Sequence, residues 1–332
     1  MPLSNKSVLI TGGAGFIGSN AVDKLLDSGN KVIVYDNLSG GRYDLIAKHD
    51  TNPNFKFVRG DLLDIETLKG ALKSEEVDTV FHMAANPEVN LGRSNTRVDL
   101  EQGTIATHNL LEAMRICDVN DILFTSSSAV YGLADVKPTP ETYGNLKPIS
   151  MYGASKLASE GLITSFSYLF DMNHYIFRFA NVVGRNPTHG IVKLMIDKLR
   201  DNRDELYVLG TGIQNKSYVD VDDIVDSMLF VYDKGRHNDT FNISTDDRVT
   251  VDYIVRRIVD KAAKGCKIRY SGSHEELKGD IADTHIFNEK IKSLGFKFRY
   301  TSREAIDRAI DSYLNTTRIT REIEYGKQVN LS

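Results

Sequence analysis

The chain has 332 residues, 41% hydrophobic and 26% charged, an ordinary globular mixture long enough for one large domain or two smaller ones. A formal net charge of -4, with both signs interspersed, offers no basic face for nucleic acid or an anionic membrane surface. No apolar run approaches the ~20 residues of a membrane helix, MPLSNKSVLI passes into a strand-like run with no signal peptide, and Cys117 and Cys266 show no metal-ligand spacing, so two reduced thiols in a cytoplasmic protein are expected.

Taken in chain order, apolar and β-branched runs alternate with longer helical patterns. SVLIT (7–11) reads as a buried strand, and Ser19 to Ser28 as a helix. KVIVYD (31–36), KFVRGD (56–61) and DTVFHMA (78–84) read as the next three strands, with a helix over about Glu101 to Cys117. DILFTSS (121–127) is a fifth strand, a long helix begins near Met151, and HYIFRFA (174–180) is a sixth strand. Strands that alternate with helices and are apolar throughout predict a doubly wound parallel sheet, a Rossmann-type α/β fold. After Asn181 the rhythm breaks into a helix at 191–200, short strands, a strand at 239–244 and a helix at 249–263. The expected division is a nucleotide-binding domain at 1–181 with a return segment near 217–245, and a smaller α/β substrate-binding lobe from 182–216 and 246–332. The last ~17 residues are polar and charge-rich, and are expected to be loosely held.

TGGAGFIGSN joins the first strand to the first helix. Gly13, Gly15 and Gly18 fit G-x-G-x-x-G, and Gly12, Gly15 and Gly18 fit G-x-x-G-x-x-G. In that context glycines let the backbone approach a pyrophosphate, while the helix start offers free N–H groups. Asp36 ends the second strand, where a carboxylate accepts from an adenosine ribose diol and repels a 2′-phosphate. NAD is therefore expected over NADP, with Arg42 a mild counter-signal. Asp61, ending the third strand, is placed to reach the adenine or to cap the run after it.

Thr125 to Ser128 put four hydroxyls at the carboxyl end of the fifth strand, the edge at which such sheets bind ligands. SMYGASK (150–156) follows. Tyr152 and Lys156 share a helical face at i and i+4. They are either a packing contact between ring and stem or a proton acceptor whose phenolate a cation stabilises.

GGAGFIG, SSSAVYG and Tyr152-x-x-x-Lys156 together resemble the extended branch of the short-chain dehydrogenase/reductase superfamily, which acts on nucleotide sugars. The resemblance covers nearly the whole chain and continues through GDLLD, HMAAN, RFANVVG, GTGIQNKSYVDVDD and FNIS. It implies that Tyr152 is the acid/base, that Ser127 is the catalytic serine, and that Lys156 depresses the tyrosine's pKa and bonds the nicotinamide ribose. It assigns Gly12, Gly15, Phe16, Ile17, Gly18, Asp36, Asn37, Ser39, Gly40, Asp61, Leu62, Ala84 and Ala85, with Tyr152 and Lys156, to NAD. It implies a nucleotide-diphosphate sugar substrate, with Ser127 and Ser128 near the sugar and with Asn181 and Lys216 at the diphosphate. Lys216 stands in place of the usual arginine and gives charge without the bidentate fork. His189, in the loop at 184–190, is a further candidate for substrate.

The family's 4,6-dehydratases carry an Asp-Glu pair after the catalytic residue. Ser128 and Ala129 stand there in this chain, so the pattern resembles the 4-epimerases, which invert C4 through a transient 4-keto sugar. Other members of the branch, a 4-ketoreductase or a UDP-uronate decarboxylase, are the alternatives, and a non-catalytic NAD-sensing protein is a third. Departures from the family pattern are Gly103 in place of an asparagine, Ala106-Thr107 in place of Gly-Thr, and Leu277-Lys278 before Gly279-Asp280. His82 is expected to be structural, and DVDDIVD (220–226) to cap and solvate a helix start without binding metal. Leu157, Leu162, Phe166 and Leu169 give the long helix apolar residues on more than one face, so a homodimer is expected.

Overall fold

The computed structural model describes residues 3–86, 88, 91–273 and 279–329. Its central sheet contains β1 (Ser7–Thr11), β2 (Lys31–Asp36), β3 (Phe55–Arg59), β4 (Thr79–His82), β5 (Asp121–Ser127), β6 (Asn173–Phe179) and the strand Asp239–Ile243. The spatial order is Asp239–Ile243, β6, β5, β4, β1, β2, β3, and every pairing is parallel. Apolar residues on both strand faces explain this sheet. Val8 and Ile10 join a core with Leu25, Phe81 and Phe177 on one side, and Leu9 joins Ile33, Leu68 and Ile122 on the other. The strand order reverses between β1 and β4, which opens a crevice at their carboxyl ends.

α1 (Phe16–Asp27) starts three residues earlier than the pattern predicts, because Gly15 is its N-cap. α2 (Ile65–Ser74), which the sequence reading did not name, is capped by Asp64, whose side chain accepts from the Thr67 N–H. Asp61 is therefore not the cap. Its Oδ1 accepts from the Leu63 N–H in a local turn and its Oδ2 from Asn37 Nδ2, each at 2.9 Å. Short helices α3 (Leu91–Ser94) and α4 (Arg97–Asp99) precede α5 (Ala106–Ile116). Between α4 and α5, Leu100–Ile105 is π-helical, where a single α-helix was expected. Gly103 lies in that segment, and a Cβ there would stand 2.4 Å from Ser155 Oγ. The asparagine usual at this position would collide with α6 (Met151–Phe170).

The second lobe has its own core, in which Val183, Met195, Leu206, Ile254, Ile258 and Ile306 meet. It is built on helices Ile191–Asp201, Val251–Ala262 and Ser302–Val329, the last running into the segment expected to be loosely held. Helix Val221–Asp233 returns to α1, where Lys24 pairs with Asp226 at 2.6 Å. The DVDD carboxylates do more than cap and solvate. Asp220 caps the helix through the Asp222 N–H, but it and Asp223 are each 1% exposed. They accept from Arg308 Nε at 3.0 Å and Arg299 Nε at 2.9 Å, tying the C-terminal segment to the sheet domain. Leu277 and Lys278 lie outside the described residues. Among the described residues, no helix is long and apolar enough to cross a membrane.

Candidate active site

The glycine turn closes tightly after β1. Gly12 has φ +70°, and a Cβ on it would meet the Ala84 backbone at 2.8 Å. A Cβ on Gly18 would stand 2.2 Å from the Gly12 carbonyl oxygen. The turn thus places the free N–H groups of α1 at the sheet edge, the arrangement that receives a pyrophosphate. Phe16 is buried behind the turn, and Ile17 packs on the core. Ala84, after β4, donates its N–H to Thr11 Oγ1 at 3.3 Å, with Ala85 next in the chain.

Asp36 is 7% exposed. Its Oδ2 accepts from the Ala14 N–H at 3.0 Å and its Oδ1 from the Leu38 N–H at 2.8 Å. Burial raises its pKa, and the two N–H bonds draw it back. The carboxylate is therefore fixed beside the glycine turn with lone pairs to spare for a ribose diol. Arg42, the counter-signal, turns away and pairs with Asp44 through Nε at 3.1 Å. Asn37 fills the space between Asp36 and Asp61, and its Oδ1 accepts from the Ser39 N–H at 2.9 Å before Gly40. Leu62 is buried below this rim, its carbonyl accepting from Asn109 Nδ2. The cradle, the carboxylate and the rim fit a bound NAD, with hydride transfer as the chemistry it supplies.

At the reacting end, Ser127 closes β5, and its Oγ accepts from the Ala129 N–H at 3.2 Å. Ser150 caps α6, its Oγ accepting from the Gly153 N–H at 3.1 Å, which sets Tyr152 and Lys156 on the first turns of the helix. Burial pushes the Tyr152 hydroxyl up to about 12, a hydrogen bond from Ser127 draws it down, and Asp99 adds to the rise. Lys156 Nζ donates to the Thr125 carbonyl at 2.6 Å and sits 4.7 Å from the Phe124 ring centroid, against 5.8 Å from that of Tyr152. Burial pulls Lys156 itself down to about 8, opposed by Glu160 and Asp99. His82 is locked between Thr11 Oγ1 at 2.8 Å and Thr107 Oγ1 at 2.9 Å, and burial pushes it down to about 3, as a structural histidine requires.

The substrate-side candidates are more scattered. Ser128 lines a pocket of about 210 Å³ with Tyr131, Leu133, Lys137, Thr284 and His285. The segment 281–286 was missed by the sequence reading, since it carries no motif. Asn181 begins a strand paired in parallel with Tyr218–Asp220, and its Nδ2 donates to the Ser217 carbonyl at 3.3 Å. Lys216 is 8% exposed, and its ammonium is held by both oxygens of Asp280, at 2.6 and 2.7 Å. Asp280 therefore competes for the charge assigned to a diphosphate. His189 sits on the cofactor side, its ring edge-on to Phe16 at 6.0 Å between centroids. Among the described residues, no group of three His, Cys, Asp or Glu could hold a metal ion.

A doubly wound sheet with a glycine cradle, a buried carboxylate at the end of β2 and a Ser/Tyr/Lys set beside the carboxyl end of β5 has the form of a dinucleotide-binding Rossmann fold. The NAD dependent epimerase/dehydratase family matches residues 8–244, and the chain belongs to that family, with NAD as its cofactor. A solved UDP-galactose 4-epimerase is 36% identical with a TM-score of 0.83, covering 93% of this chain and 99% of that one. The UDP-glucose 4-epimerase of Thermotoga maritima, solved with UDP-glucose, is 30% identical with a TM-score of 0.82, covering 94% and 99%. The dTDP-glucose 4,6-dehydratase of Streptomyces venezuelae, solved with NAD, is 26% identical with a TM-score of 0.85, covering 93% and 97%.

Proposed function

We propose that the protein inverts C4 of a nucleotide-diphosphate sugar, UDP-glucose/UDP-galactose or their N-acetyl forms, with NAD. The observation that carries this reading is the pair that follows Ser127. Ser128 lines the pocket with a hydroxyl and Ala129 offers only a methyl group, so neither side chain supplies the acid that water elimination needs. The similarity to two 4-epimerases over nearly the full length of each chain supports it.

In this reading Tyr152 ionises once the positive charges of Lys156 and bound NAD face it, takes the proton of the sugar's C4 hydroxyl, and returns it after the sugar has turned over. Ser127 bonds the same oxygen and holds it near Tyr152. Lys156 supplies positive charge to the site and a bond to the nicotinamide ribose. Asn181 and Lys216 meet the diphosphate, with Lys216 released from Asp280 to do so. NAD, held by the glycine turn at Gly12–Gly18, Asp36 and Lys156, would supply reversible hydride transfer at C4, so no net redox would occur.

The test is incubation with a panel of UDP-, dTDP- and GDP-sugars and analysis of the products. The C4 epimer should form without consumption of added NADH. A stable 4-keto-6-deoxy sugar as product would overturn the assignment. We also propose a homodimer through α5 and α6. Leu157, Leu162 and Phe166 pack inward, but Tyr168, Leu169 and Phe170 remain 86%, 66% and 42% exposed beside Ile116 at 40%. Light scattering should give twice the chain mass, and Leu169→Glu should halve it.

A further inference from the structure

We propose that Asp280 is a specificity-determining residue, an internal anion that a diphosphate must displace to reach Lys216. The inference rests on the reading above, in which Lys216 meets the substrate's diphosphate, and it adds the rule by which that position admits a ligand.

The strand Asn215–Lys216 runs between Val249–Thr250, antiparallel to it, and Asp283–Thr284, parallel to it. Held between these neighbours, Lys216 is 8% exposed. A buried ammonium is costly unless an anion faces it. Asp280 is that anion, and both of its oxygens accept from Lys216 Nζ, at 2.6 and 2.7 Å.

The two partners are not held alike. The Asp280 side chain is 42% exposed against 10% for Lys216, so the carboxylate can turn into water while the ammonium stays where it is. The segment after Asp280 is anchored without that pair. Asn215 donates its N–H to the Ala282 carbonyl at 2.9 Å, and Thr139 donates its N–H to the His285 carbonyl at 2.9 Å. Lys137 and Arg248 bond the Asp283 carboxylate at 2.7 and 2.5 Å. Releasing Asp280 therefore leaves the pocket wall at 281–286 standing. Among the described residues, the Asp280 carboxylate bonds Lys216 alone. A diphosphate brings more than one negative charge on several oxygens, so it can replace the carboxylate without leaving the ammonium bare. A ligand with no charge at this point would strand the lysine. Asp280 thus sets a charge threshold by penalising the wrong ligand as well as yielding to the right one.

The experiment is calorimetric titration of inorganic pyrophosphate into the full chain saturated with NAD, which fills the dinucleotide's own phosphate cradle. Pyrophosphate has no sugar or base, so any contact of Asp280 with those parts of a substrate does not enter. Asp280→Ala should bind it about fivefold more tightly than the unmodified protein, the upper end for an ion pair with one exposed partner. The gain should shrink as salt is raised. Asp280→Glu keeps the charge and should return the affinity towards the unmodified value. In a Lys216→Met background, Asp280→Ala should change nothing. An Asp280→Ala protein that binds pyrophosphate no more tightly overturns the exchange, and so does a gain that survives in Lys216→Met. Should the alanine variant not fold, Asp280→Asn removes the charge at the same size, and the same comparison decides. If Lys216→Met alone keeps full pyrophosphate affinity, the diphosphate does not meet Lys216 and the exchange falls with that contact. An exchange found in a protein that epimerises no UDP-sugar keeps the charge threshold and removes the proposed reaction. No exchange in an active epimerase removes the threshold alone.

Discussion

Glu160→Gln probes the ion pair buried behind the active site. The Arg178 and Glu160 side chains are 8% and 7% exposed and meet through two parallel bonds. The same guanidinium donates to the Tyr131 hydroxyl at 3.0 Å, which donates to Asn242 Oδ1 at 2.7 Å. Glutamine keeps the size of Glu160 but leaves the guanidinium buried without its anion. Removing one member of a buried pair costs about 3–5 kcal/mol, because the other charge stays desolvated. At an unfolding entropy of ~2.1 cal/mol/K per residue over 332 residues, that lowers Tm by about 4–7 °C. The assay is calorimetry at saturating NAD, beside the double variant Glu160→Gln/Arg178→Met. The double variant takes away the stranded charge as well, so it should recover at least half of the loss. A single variant that melts with the unmodified protein, or a double variant less stable than the single, would refute the argument. In the first case the bridge would be a satisfied but inert contact, and in the second Arg178 would contribute through its bond to Tyr131 and not as a stranded charge.

Tyr152→Phe removes only the hydroxyl beside Ser127, and it should cost about 10²- to 10⁴-fold in kcat with NAD affinity and Tm nearly kept; near-normal turnover would return Tyr152 to a packing role. Gly18→Ala places a methyl group 2.2 Å from the Gly12 carbonyl oxygen and should weaken NAD about tenfold or more by calorimetric titration, since overpacking must displace the turn. Asp23 takes Lys48 at 2.8 Å, His49 at 2.7 Å and Arg185 at 2.5 Å, and although burial raises its pKa, these donors outweigh burial and hold it below the usual carboxylate range. Its stabilisation is full above the unfolded value of ~3.9 and disappears as pH falls through the lower folded value, so Asp23→Asn should lose about 1–3 kcal/mol in urea unfolding at pH 7 and progressively less as the pH is lowered below ~3.9.

The first half of the chain could be read closely from its sequence. β1, β2 and β5 have the bounds the apolar runs predict, because strands buried on both faces leave an unbroken signature. α2 escaped because it buries only Leu68, Ala71 and Leu72, a thin stripe in a polar run. The π-helical turn before α5 escaped because a slipped hydrogen-bond ladder leaves no mark on apolar spacing. At the site, local motifs single out Ser127, Tyr152, Lys156 and Asp36 as candidates. They gave no warning of Asp99, Asp280 or the arginines that seize Asp220 and Asp223. Those pairings join residues far apart in the chain, and a charged residue does not announce which distant partner it will meet. The tyrosine's high pKa has the same origin: burial belongs to the assembled site, while i and i+4 spacing is local.

The sheet carries a further consequence for how the molecule is made. Its terminal strand, Asp239–Ile243, pairs with β6 only after the chain has left to build part of the second lobe and come back. His174 donates its N–H to Asn238 across 64 residues of sequence. Until that return is synthesised, β6 is an open edge with its ladder groups unpaired, a template for pairing with another chain. Distant parallel pairings form slowly, because the loop must close before any contact rewards it. On the ribosome, the nucleotide domain therefore waits for the other lobe to begin before it can finish. Nascent chains halted between β6 and Asp239 should be the ones that engage chaperones and aggregate.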